Sequence, residues 1–340
     1  MTTIAGEKIY TFEEALALSV DTTSGQLINP TLLTGNGYTL SLFPNIFSYS
    51  DLKLSINTND FHLRDKIIEI FDENGTQDFE KIMNLLANAH KIAFKYPLND
   101  CDKISDDLNK LKQNLIEAIS QKHPKSPDDG ITPENYTKNK EFLSHFSKIY
   151  TTNYDLLLYW SLNRNRLTAN FADGFKSIDY NLYWEGEEQN TFWLHGGLHL
   201  YWGENARFPN FTEIIKLKKE TNKNLIEQIQ EKLNLGLYPI TIAEGDWNSK
   251  VKNIISNPYL RSSFISLKNN ESNIITFGIS FEQDEHLIKA IEFSSTKKIF
   301  IGIYNPSNEE ILRLKSKFAK IYNTEDKKIY FYNTNTVVIW

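Results

Sequence analysis

The sequence has little cysteine, glycine and proline, and each shortage excludes a class of protein. A single cysteine, Cys101, in 340 residues rules out a disulfide framework and a four-thiolate zinc site built from this chain alone. Fifteen glycines and ten prolines are too few for a collagen-like or low-complexity chain. No apolar run approaches the roughly 18 residues that a membrane span needs, and no basic segment opens the chain as a targeting signal would. We therefore expect a soluble cytoplasmic protein that does not bind membranes.

The residues that are abundant indicate a folded protein with a sizeable core. Hydrophobic residues make up 40% of the chain and aromatic residues 13%, which excludes intrinsic disorder. The formal net charge of −6 argues against a surface that coats nucleic acid, so no direct nucleic-acid binding is expected. A length of 340 residues allows two or three domains, or one α/β domain with a large insertion.

Two patterns alternate along the chain and predict its fold. Short apolar runs that favour β-strands occupy residues 27–34, 146–151, 191–194, 272–280 and 297–304. Strands that alternate with helices predict βαβ units and a parallel sheet. Residues 59–145 instead show helical periodicity with almost no β pattern. We predict an α/β fold, with a Rossmann-like, mostly parallel sheet flanked by helices (1–58 plus 146–340) and an all-helical insertion subdomain (59–145).

Three loops with chemically useful side chains each follow a predicted strand. Because ligands in open parallel sheets bind at the carboxyl ends of the strands, these loops predict one site built from distant segments. The first, Gly35-Asn36-Gly37-Tyr38-Thr39, has two glycines that let the backbone approach a pyrophosphate and donate amide hydrogens to it. It matches neither the GxGxxG fingerprint nor a Walker A loop, and a tight turn without a ligand is the alternative.

The second loop, Thr151-Thr152-Asn153-Tyr154-Asp155, carries an amide and a carboxyl group two residues apart. Asn153 offers a donor and an acceptor, whereas an ionised aspartate only accepts. Such a pair could hold a carboxamide and a ribose hydroxyl, or orient a water molecule. Alternatively, Asp155 simply caps the helix that follows it.

The third loop begins with His195, which ends an apolar strand and precedes two glycines. An accessible histidine titrates near neutral pH, so it can act as a general base or accept a hydroxyl hydrogen bond. His199 lies four residues on, but Gly196 and Gly197 argue against the helix on which such a pair binds metal. We therefore expect no metal, and we interpret His199 as a partly buried strand residue.

A fourth loop, residues 278–286, follows the strand at 272–277. Its Gly278 and Ser280 could close over a ligand phosphate or ribose. Asp284 is better explained as the N-cap of the next helix.

Taken together, the four loops resemble those of the sirtuin superfamily. That family carries a Gly-Ala-Gly-x-Ser loop after its first strand, then a Thr-Gln-Asn-x-Asp loop, a His-Gly pair and a later Gly-x-Ser loop. The counterparts stand here in the same order as Gly35-Asn36-Gly37-Tyr38-Thr39, Thr151-Thr152-Asn153-Tyr154-Asp155, Leu194-His195-Gly196 and Gly278-Ile279-Ser280. The resemblance covers residues 27–58 and 146–304.

The departures from that family narrow the resemblance. Deacylase sirtuins carry a four-cysteine zinc module, which a chain with one cysteine lacks. Asn36 replaces Ala, Thr39 replaces Ser, and the helical segment 59–145 is unlike a zinc module. In these respects the sequence is similar to the sirtuin-like NAD hydrolases of bacterial anti-phage defence. The resemblance implies an NAD⁺ glycohydrolase that depletes cellular NAD⁺, an abortive-infection response, when a sensor triggers it.

The resemblance also implies roles for individual residues. Asn153 would orient the ribose and the attacking water, Asp155 would contact the nicotinamide carboxamide, and His195 would bind ribose hydroxyls and act as a base. The residues expected to hold the rest of NAD⁺ are Gly35, Asn36, Gly37 and Thr39 on the pyrophosphate side, Thr152, and Gly278 with Ser280 on the adenosine side. NAD⁺ is the substrate in this interpretation, with no metal involved.

Control of such an activity implies a partner. Because an unregulated NADase would harm its host and 340 residues leave little room for a sensing domain, we expect a homo- or hetero-oligomer with a separately encoded sensor. That sensor could be an Argonaute-like protein, an ATPase or a nucleotide-binding protein. Two alternatives stay open: a non-catalytic module that binds NAD or ADP-ribose as a sensor or scaffold, and an ADP-ribosyltransferase.

Overall fold

The computed structural model describes residues 2–22, 25–47, 52–53, 65–96, 101–178, 181–204, 212–220, 222–243 and 246–340. In these residues an eight-stranded sheet, parallel except at one edge, is flanked by helices. A second sheet has four antiparallel strands. The predicted α/β class with a mostly parallel, Rossmann-like sheet is confirmed.

The eight-stranded sheet is the central layer of the fold. From one edge to the other its strands are β1 (Thr2–Ile4), β2 (Glu7–Tyr10), β12 (Lys328–Asn333), β11 (Lys298–Ile303), β10 (Ile274–Phe277), β3 (Thr31–Thr34), β4 (Lys148–Thr151) and β7 (Thr191–Trp193). Among these described strands, β1 and β2 form the one antiparallel pair. Every residue of β3 and β10 is buried, as expected for parallel strands that are covered on both faces.

The order of the strands reverses between β3 and β10. From β3 the sheet grows through β4 to β7 on one side, and then β10 pairs with the other side of β3 and is followed by β11 and β12. In open α/β sheets the ligand crevice lies outside the carboxyl ends of the strands at such a reversal. The topology therefore places a crevice next to the loops that follow β3 and β10.

The helices begin and end at recognisable caps. They are α1 (Phe12–Ser19), α2 (Gly37–Leu40), α3 (Asp65–Glu73), α4 (Phe79–Lys95), α5 (Cys101–Lys122), α6 (Pro133–Ser144), α7 (Leu157–Arg164), α8 (Leu225–Asn234), α9 (Trp247–Ser256), α10 (Pro258–Lys268), α11 (Glu285–Phe293) and α12 (Asn308–Lys317). Thr11 and Glu14 form the capping box of α1 that their spacing predicts. Pro306, whose position in the sequence suggests the first turn of a helix, instead precedes Ser307, whose hydroxyl caps α12.

Between β3 and β4 the described residues form helices α2 to α6 and no strand. Buried side chains of these helices, such as Phe79 and Leu115, belong to the same hydrophobic cluster as Leu32 of β3 and Ile149 of β4. The helices therefore extend the core on one face of the sheet and do not enclose a separate one. The limits 59–145 of the insertion stay a prediction.

A smaller antiparallel sheet lies between β4 and β10 in the chain. Its strands, in spatial order, are β5 (Phe175–Ile178), β6 (Asn181–Trp184), β9 (Thr212–Lys216) and β8 (Leu200–Glu204). The sequence suggests a polar helical stretch over 210–233, which is wrong for residues 212–216, because they pair with β8 and β6. Helix α8 begins only after its cap at Asn224. None of the helices that the structure describes is long and apolar enough to cross a membrane.

Candidate functional site

A cavity of about 1170 Å³ opens at the carboxyl edge of the eight-stranded sheet, where the strand order reverses. Ligand pockets usually have volumes of about 300–1000 Å³, so this cavity has room for a dinucleotide. The residues that line it include nine of the ten predicted site residues: Gly35, Asn36, Gly37, Thr152, Asn153, Asp155, His195, Gly278 and Ser280. The tenth, Thr39, is fully buried and bonds to two of these residues. The four predicted loops therefore meet at one cavity.

The loops after β3 and β10 cross in direct contact beside the cavity. The amide of Gly37 donates to the carbonyl of Gly278 at 2.8 Å. A Cβ atom on either residue would overlap the backbone of the other. Gly278 also has a φ of +64°, which other residues rarely adopt. The close approach of the two loops therefore requires glycine at both positions.

Three amides of the first loop have a different use from the predicted one. The N–H groups of Gly35 and Gly37 donate to carbonyl oxygens of the chain that leaves β10, at 3.1 and 2.8 Å. The N–H group of Thr39 donates to the carbonyl of Asn36 at 3.0 Å. Each donor already has an acceptor: the Gly35 and Gly37 amides hold the two loops together, and the Thr39 amide closes the turn within its own loop. None of the three is left open for a pyrophosphate.

A directed chain of hydrogen bonds links Asp155, Thr39 and Asn153. The Thr39 hydroxyl donates to Asp155 Oδ2 at 2.6 Å, and Leu157 N–H donates to Asp155 Oδ1 at 2.8 Å. Because the hydroxyl has one proton and gives it to Asp155, its 2.9 Å contact with Asn153 must be a bond that Asn153 Nδ2 donates. Asp155 therefore accepts from the first N–H of α7, although the N-cap position itself belongs to Leu156 and not to Asp155 as the sequence suggests, and it orients Asn153 through Thr39.

This series of hydrogen bonds leaves one acceptor atom of Asn153, its Oδ1, without a partner. Asn153 is 7% exposed and lines the cavity, and its Oδ1 has no hydrogen-bond partner among the described residues. A buried polar atom without a partner costs about 1–3 kcal/mol. A ligand hydroxyl, amide or water that donates to this oxygen would remove that cost.

His195 lies at the same cavity in a largely buried, polar corner. The residue is 2% exposed, and its Nε2 lies 3.0 Å from Nε2 of His286 and 3.7 Å from Oδ1 of Asp284. Burial holds the pKa of His195 well below its usual value, with the Asp284 carboxylate opposing that shift and Lys250 and His286 adding to it. The ring is therefore neutral at pH 7, the form in which a histidine can accept a proton.

Lys250 and Glu80 complete this corner. The fully buried Lys250 ammonium donates to Glu80 Oε2 and to Asp284 Oδ1, each at 2.9 Å. Burial raises the pKa of Glu80 to about 7, with Lys250 opposing the rise. Burial would also raise the pKa of Asp284, but the attraction of Lys250 and the two histidines outweighs it and holds that pKa well below its usual value.

Sequence reasoning missed three residues of this corner. His286 follows Asp284 at a spacing of two, in the first turn of the helix after β10, so a search for titratable pairs at the start of that helix would have found it. Glu80 and Lys250 lie on separate helices, far apart in the chain. No local pattern marks either one, since their pairing depends on how α4 packs.

Three side chains of the corner could together approach a metal ion. One ligand atom from each of His195, Asp284 and His286 lies within 4.8 Å of the others, and the part of the chain that the structure describes contains no other such group. Lys250 already places a positive charge 2.9 Å from the Asp284 oxygen, which opposes a second cation there. The expectation of no metal stays a prediction.

The comparison with protein families covers almost the whole chain. A family model described as a domain of unknown function, DUF4917, matches residues 32–340. The chain belongs to the DUF4917 family. The match includes all ten predicted site residues, and the description gives the family no activity. No curated protein matches the chain.

The charged side chains that line the cavity of this DUF4917 protein are acidic. Among the described residues they are Asp78, Glu80, Asp155, Glu282, Asp284 and Glu310, with no lysine or arginine. At the end of the cavity near Ser280, the Arg313 guanidinium binds Glu282, Glu310 and the Ser280 carbonyl, at 2.6–2.8 Å. Four of these carboxylates therefore share a cation: Glu282 and Glu310 share Arg313, and Glu80 and Asp284 share Lys250.

His199, the second histidine of the loop that begins at His195, does not line the cavity of the DUF4917 domain. His199 is fully buried in the turn before β8, not partly buried within a strand as predicted. Its ring packs at centroid distances of 4.7 Å from Trp193 and 5.1 Å from Tyr159. Neither ring nitrogen has a partner among the described residues. Its role is in packing beside the small sheet.

Proposed function

We propose that this protein hydrolyses NAD⁺ at the bond between nicotinamide and ribose, giving nicotinamide and ADP-ribose. One observation carries the proposal: an oriented, unpartnered amide oxygen on Asn153 lines the same dinucleotide-sized cavity as the neutral imidazole of His195. The cavity also lies where the strand order reverses, which is where folds of this class bind nucleotides. The resemblance to sirtuin-like NAD hydrolases adds the identity of the substrate.

The reaction needs few protein groups. Water forms a bond to the ribose C1′, the bond from C1′ to the pyridinium nitrogen breaks, and its electron pair leaves with neutral nicotinamide. No acid is needed for that leaving group. The protein must fix the ribose, direct the water and stabilise positive charge on C1′. Asn153 Oδ1 accepts from a ribose hydroxyl or the water, and the His195 ring takes the proton that the water loses.

The acidic lining supports the orientation of the substrate. The nicotinamide end of NAD⁺ carries the positive charge, so it is attracted to the Asp155 carboxylate in the cavity lining. The adenosine end then lies toward Gly278 and Ser280. The resemblance assigns the same ends to the same loops.

The proposal extends to the biological role. NAD⁺ depletion in anti-phage defence would require that the activity stay low until a separately encoded sensor binds. That sensor is an Argonaute-like protein, an ATPase or a nucleotide-binding protein, as the resemblance implies. The proposal includes an oligomer as the active form.

The test is an assay of the purified chain with NAD⁺, alone and with the product of the neighbouring gene. Release of nicotinamide and ADP-ribose is followed by chromatography. We expect Asn153→Ala and His195→Ala each to lower the rate about 10²- to 10⁴-fold.

Control variants outside the cavity are Asn163→Ala and His145→Ala, which should keep the rate of the unmodified protein. NAD⁺ that binds but stays intact under every condition would contradict the hydrolase and support the sensor or scaffold alternative. ADP-ribose attached to a protein would support the transferase.

A further inference from the structure

We infer that Glu80, Lys250, Asp284 and His286 are positioning residues that hold the His195 ring in the tautomer with hydrogen on Nε2, leaving Nδ1 as the base. The inference rests on the proposed function, which gives His195 its role. It also brings helix α4, from the helical segment between β3 and β4, into the catalytic apparatus through Glu80.

The tautomer follows from two distances. The Nε2 atoms of His195 and His286 are 3.0 Å apart, so one of them carries the hydrogen and the other accepts it. Asp284 Oδ1 lies 3.7 Å from Nε2 of His195, and a negative oxygen favours a hydrogen on the nearer nitrogen. His286 then accepts at Nε2 and carries its own hydrogen on Nδ1, an atom without a partner among the described residues.

The influence of α4 follows from the shared ammonium group. Lys250 Nζ is bound equally, at 2.9 Å, by Glu80 on α4 and by Asp284 beside the histidines. If Glu80 loses its charge, the ammonium is attracted to Asp284 alone and screens it from His195 more strongly. The Nε2–H tautomer is then less favoured, and fewer molecules present Nδ1 as a base.

The first test reads the tautomer without any turnover. The full chain is labelled with ¹⁵N-histidine, and the two ring nitrogens of His195 are assigned by comparison with His195→Gln. We expect the nitrogen shifts of a neutral ring with hydrogen on Nε2 in the unmodified protein, and a shift toward the other tautomer in Glu80→Gln and Asp284→Asn. Hydrogen on Nδ1 of His195 in the unmodified protein would overturn the inference.

The second test separates positioning from folding by kinetics with NAD⁺. At about pH 8.5, where a Glu80 carboxyl with a pKa of about 7 is mostly ionised, Glu80→Gln and His286→Gln should lower kcat about tenfold or more with KM changed less than about twofold, because the base is misplaced while the binding surface stays. Lys250→Arg should keep more activity than Lys250→Met, which leaves two buried carboxylates without a counter-charge.

The matched control is Glu117→Gln on the neighbouring helix α5. Glu117 also joins the helical segment to the rest of the chain, through a 2.9 Å bond from Tyr238 Oη, but it does not line the cavity. Its kcat should stay at the level of the unmodified protein. Equal kcat values for Glu80→Gln and Glu117→Gln would overturn the inference.

The two proposals fail in distinguishable ways. If the unmodified protein leaves NAD⁺ intact under every condition, the hydrolase proposal fails, while the nitrogen shifts still decide the tautomer. If it hydrolyses NAD⁺ but the four positioning variants match Glu117→Gln, only the positioning role fails. One equivalent of bound metal in the purified protein would also overturn that role, since the metal would occupy the ring nitrogens.

Discussion

Polar side chains are buried both at the carboxyl edge of the large sheet and around the small sheet, but among the described residues only those at the edge lie beside the cavity. At the edge, Asp155, Thr39 and Asn153 form a bonded series that ends in one unpartnered acceptor, on a residue that lines the cavity. Beside the small sheet, His199 is enclosed by aromatic rings, and its nitrogens face no cavity residue in the described structure. The two regions are joined by a turn of only a few residues.

The difference teaches how to separate a site from a packing position. His195 and His199 are both fully enclosed, and burial holds both pKa values well below the usual range. Enclosure and a shifted pKa therefore do not distinguish them. What distinguishes the two histidines is a set of hydrogen-bonding partners beside an open cavity. His195 has such a set and His199, in the part of the chain that the structure describes, does not.

The prediction with the largest expected effect concerns the close approach of the loops that follow β3 and β10. Gly37→Ala should destabilise the protein by about 3 kcal/mol, because the new methyl group meets the backbone of Gly278. Gly203→Ala in the small sheet is the comparison and should cost less, since the atoms nearest to its methyl group belong to the side chain of Ile215 and not to backbone. Urea unfolding measures both. Equal losses of stability in the two variants would mean that the contact between Gly37 and Gly278 is no tighter than the packing around Gly203.

The next effect tests the directed series at the cavity. Thr39→Val removes the hydroxyl that orients Asn153, so NAD⁺ hydrolysis should fall about 10- to 100-fold, with the melting temperature changed by only a few degrees. Thr39→Ser keeps the hydroxyl and should retain most of the rate. If the Thr39→Ser and Thr39→Val variants hydrolysed NAD⁺ at the same rate, the Thr39 hydroxyl would not be needed to orient Asn153.

A smaller effect concerns acid sensitivity. Burial lowers the pKa of His195, His199 and His286, the last to about 4, whereas an unfolded histidine titrates near 6.5. Between those values the unfolded chain binds more protons, so stability falls as the pH falls, by about 1.4 kcal/mol per pH unit for each histidine. Glu80 opposes this fall, because its raised pKa of about 7 means that the folded form binds a proton first.

Urea unfolding at pH 7, 6 and 5 measures the balance. We expect a net decrease toward acid, because four buried histidines with lowered pKa values, His123 among them, outweigh the raised pKa of Glu80. A flat profile would show that the enclosed rings are protonated in the folded protein.

The smallest effect concerns the small-sheet region. His199→Phe should raise the free energy of unfolding by about 1 kcal/mol, because it replaces a ring whose nitrogens lack partners with an apolar one. NAD⁺ hydrolysis should stay unchanged, and the acid sensitivity should decrease. A loss of hydrolysis in this variant would mean that the small-sheet region also contributes to the activity.

The parts of the fold that could be predicted are those with strong local patterns. The buried strands β3 and β10 and the glycines that follow them show their character in a few adjacent residues. Strand β9 does not, because Thr212–Lys216 is followed by lysines and a helix, so its surroundings in sequence suggest a helix. Its conformation is decided by its pairing with β8 on one side and with β6 on the other.

The same limit applies within the site. The four loops could be assigned to one site because parallel strands end at a common edge, which is a property of the topology. The use of the Gly35 and Gly37 amides could not be predicted, since it depends on the contact with a loop more than 200 residues later. The pairing of Lys250 with Glu80 depends on tertiary packing in the same way.

The direction of the hydrogen bonds at Asn153 has a consequence for which sugars can be bound. The NH₂ group of Asn153 donates to the Thr39 oxygen, which leaves Oδ1 as the side-chain atom without a partner among the described residues, and an amide oxygen only accepts hydrogen. A deoxy or O-alkylated sugar would leave that oxygen unsatisfied at a cost of about 1–3 kcal/mol. Under the proposed function, the site would thus distinguish a free hydroxyl from its masked or missing counterpart without any contact to base or phosphate.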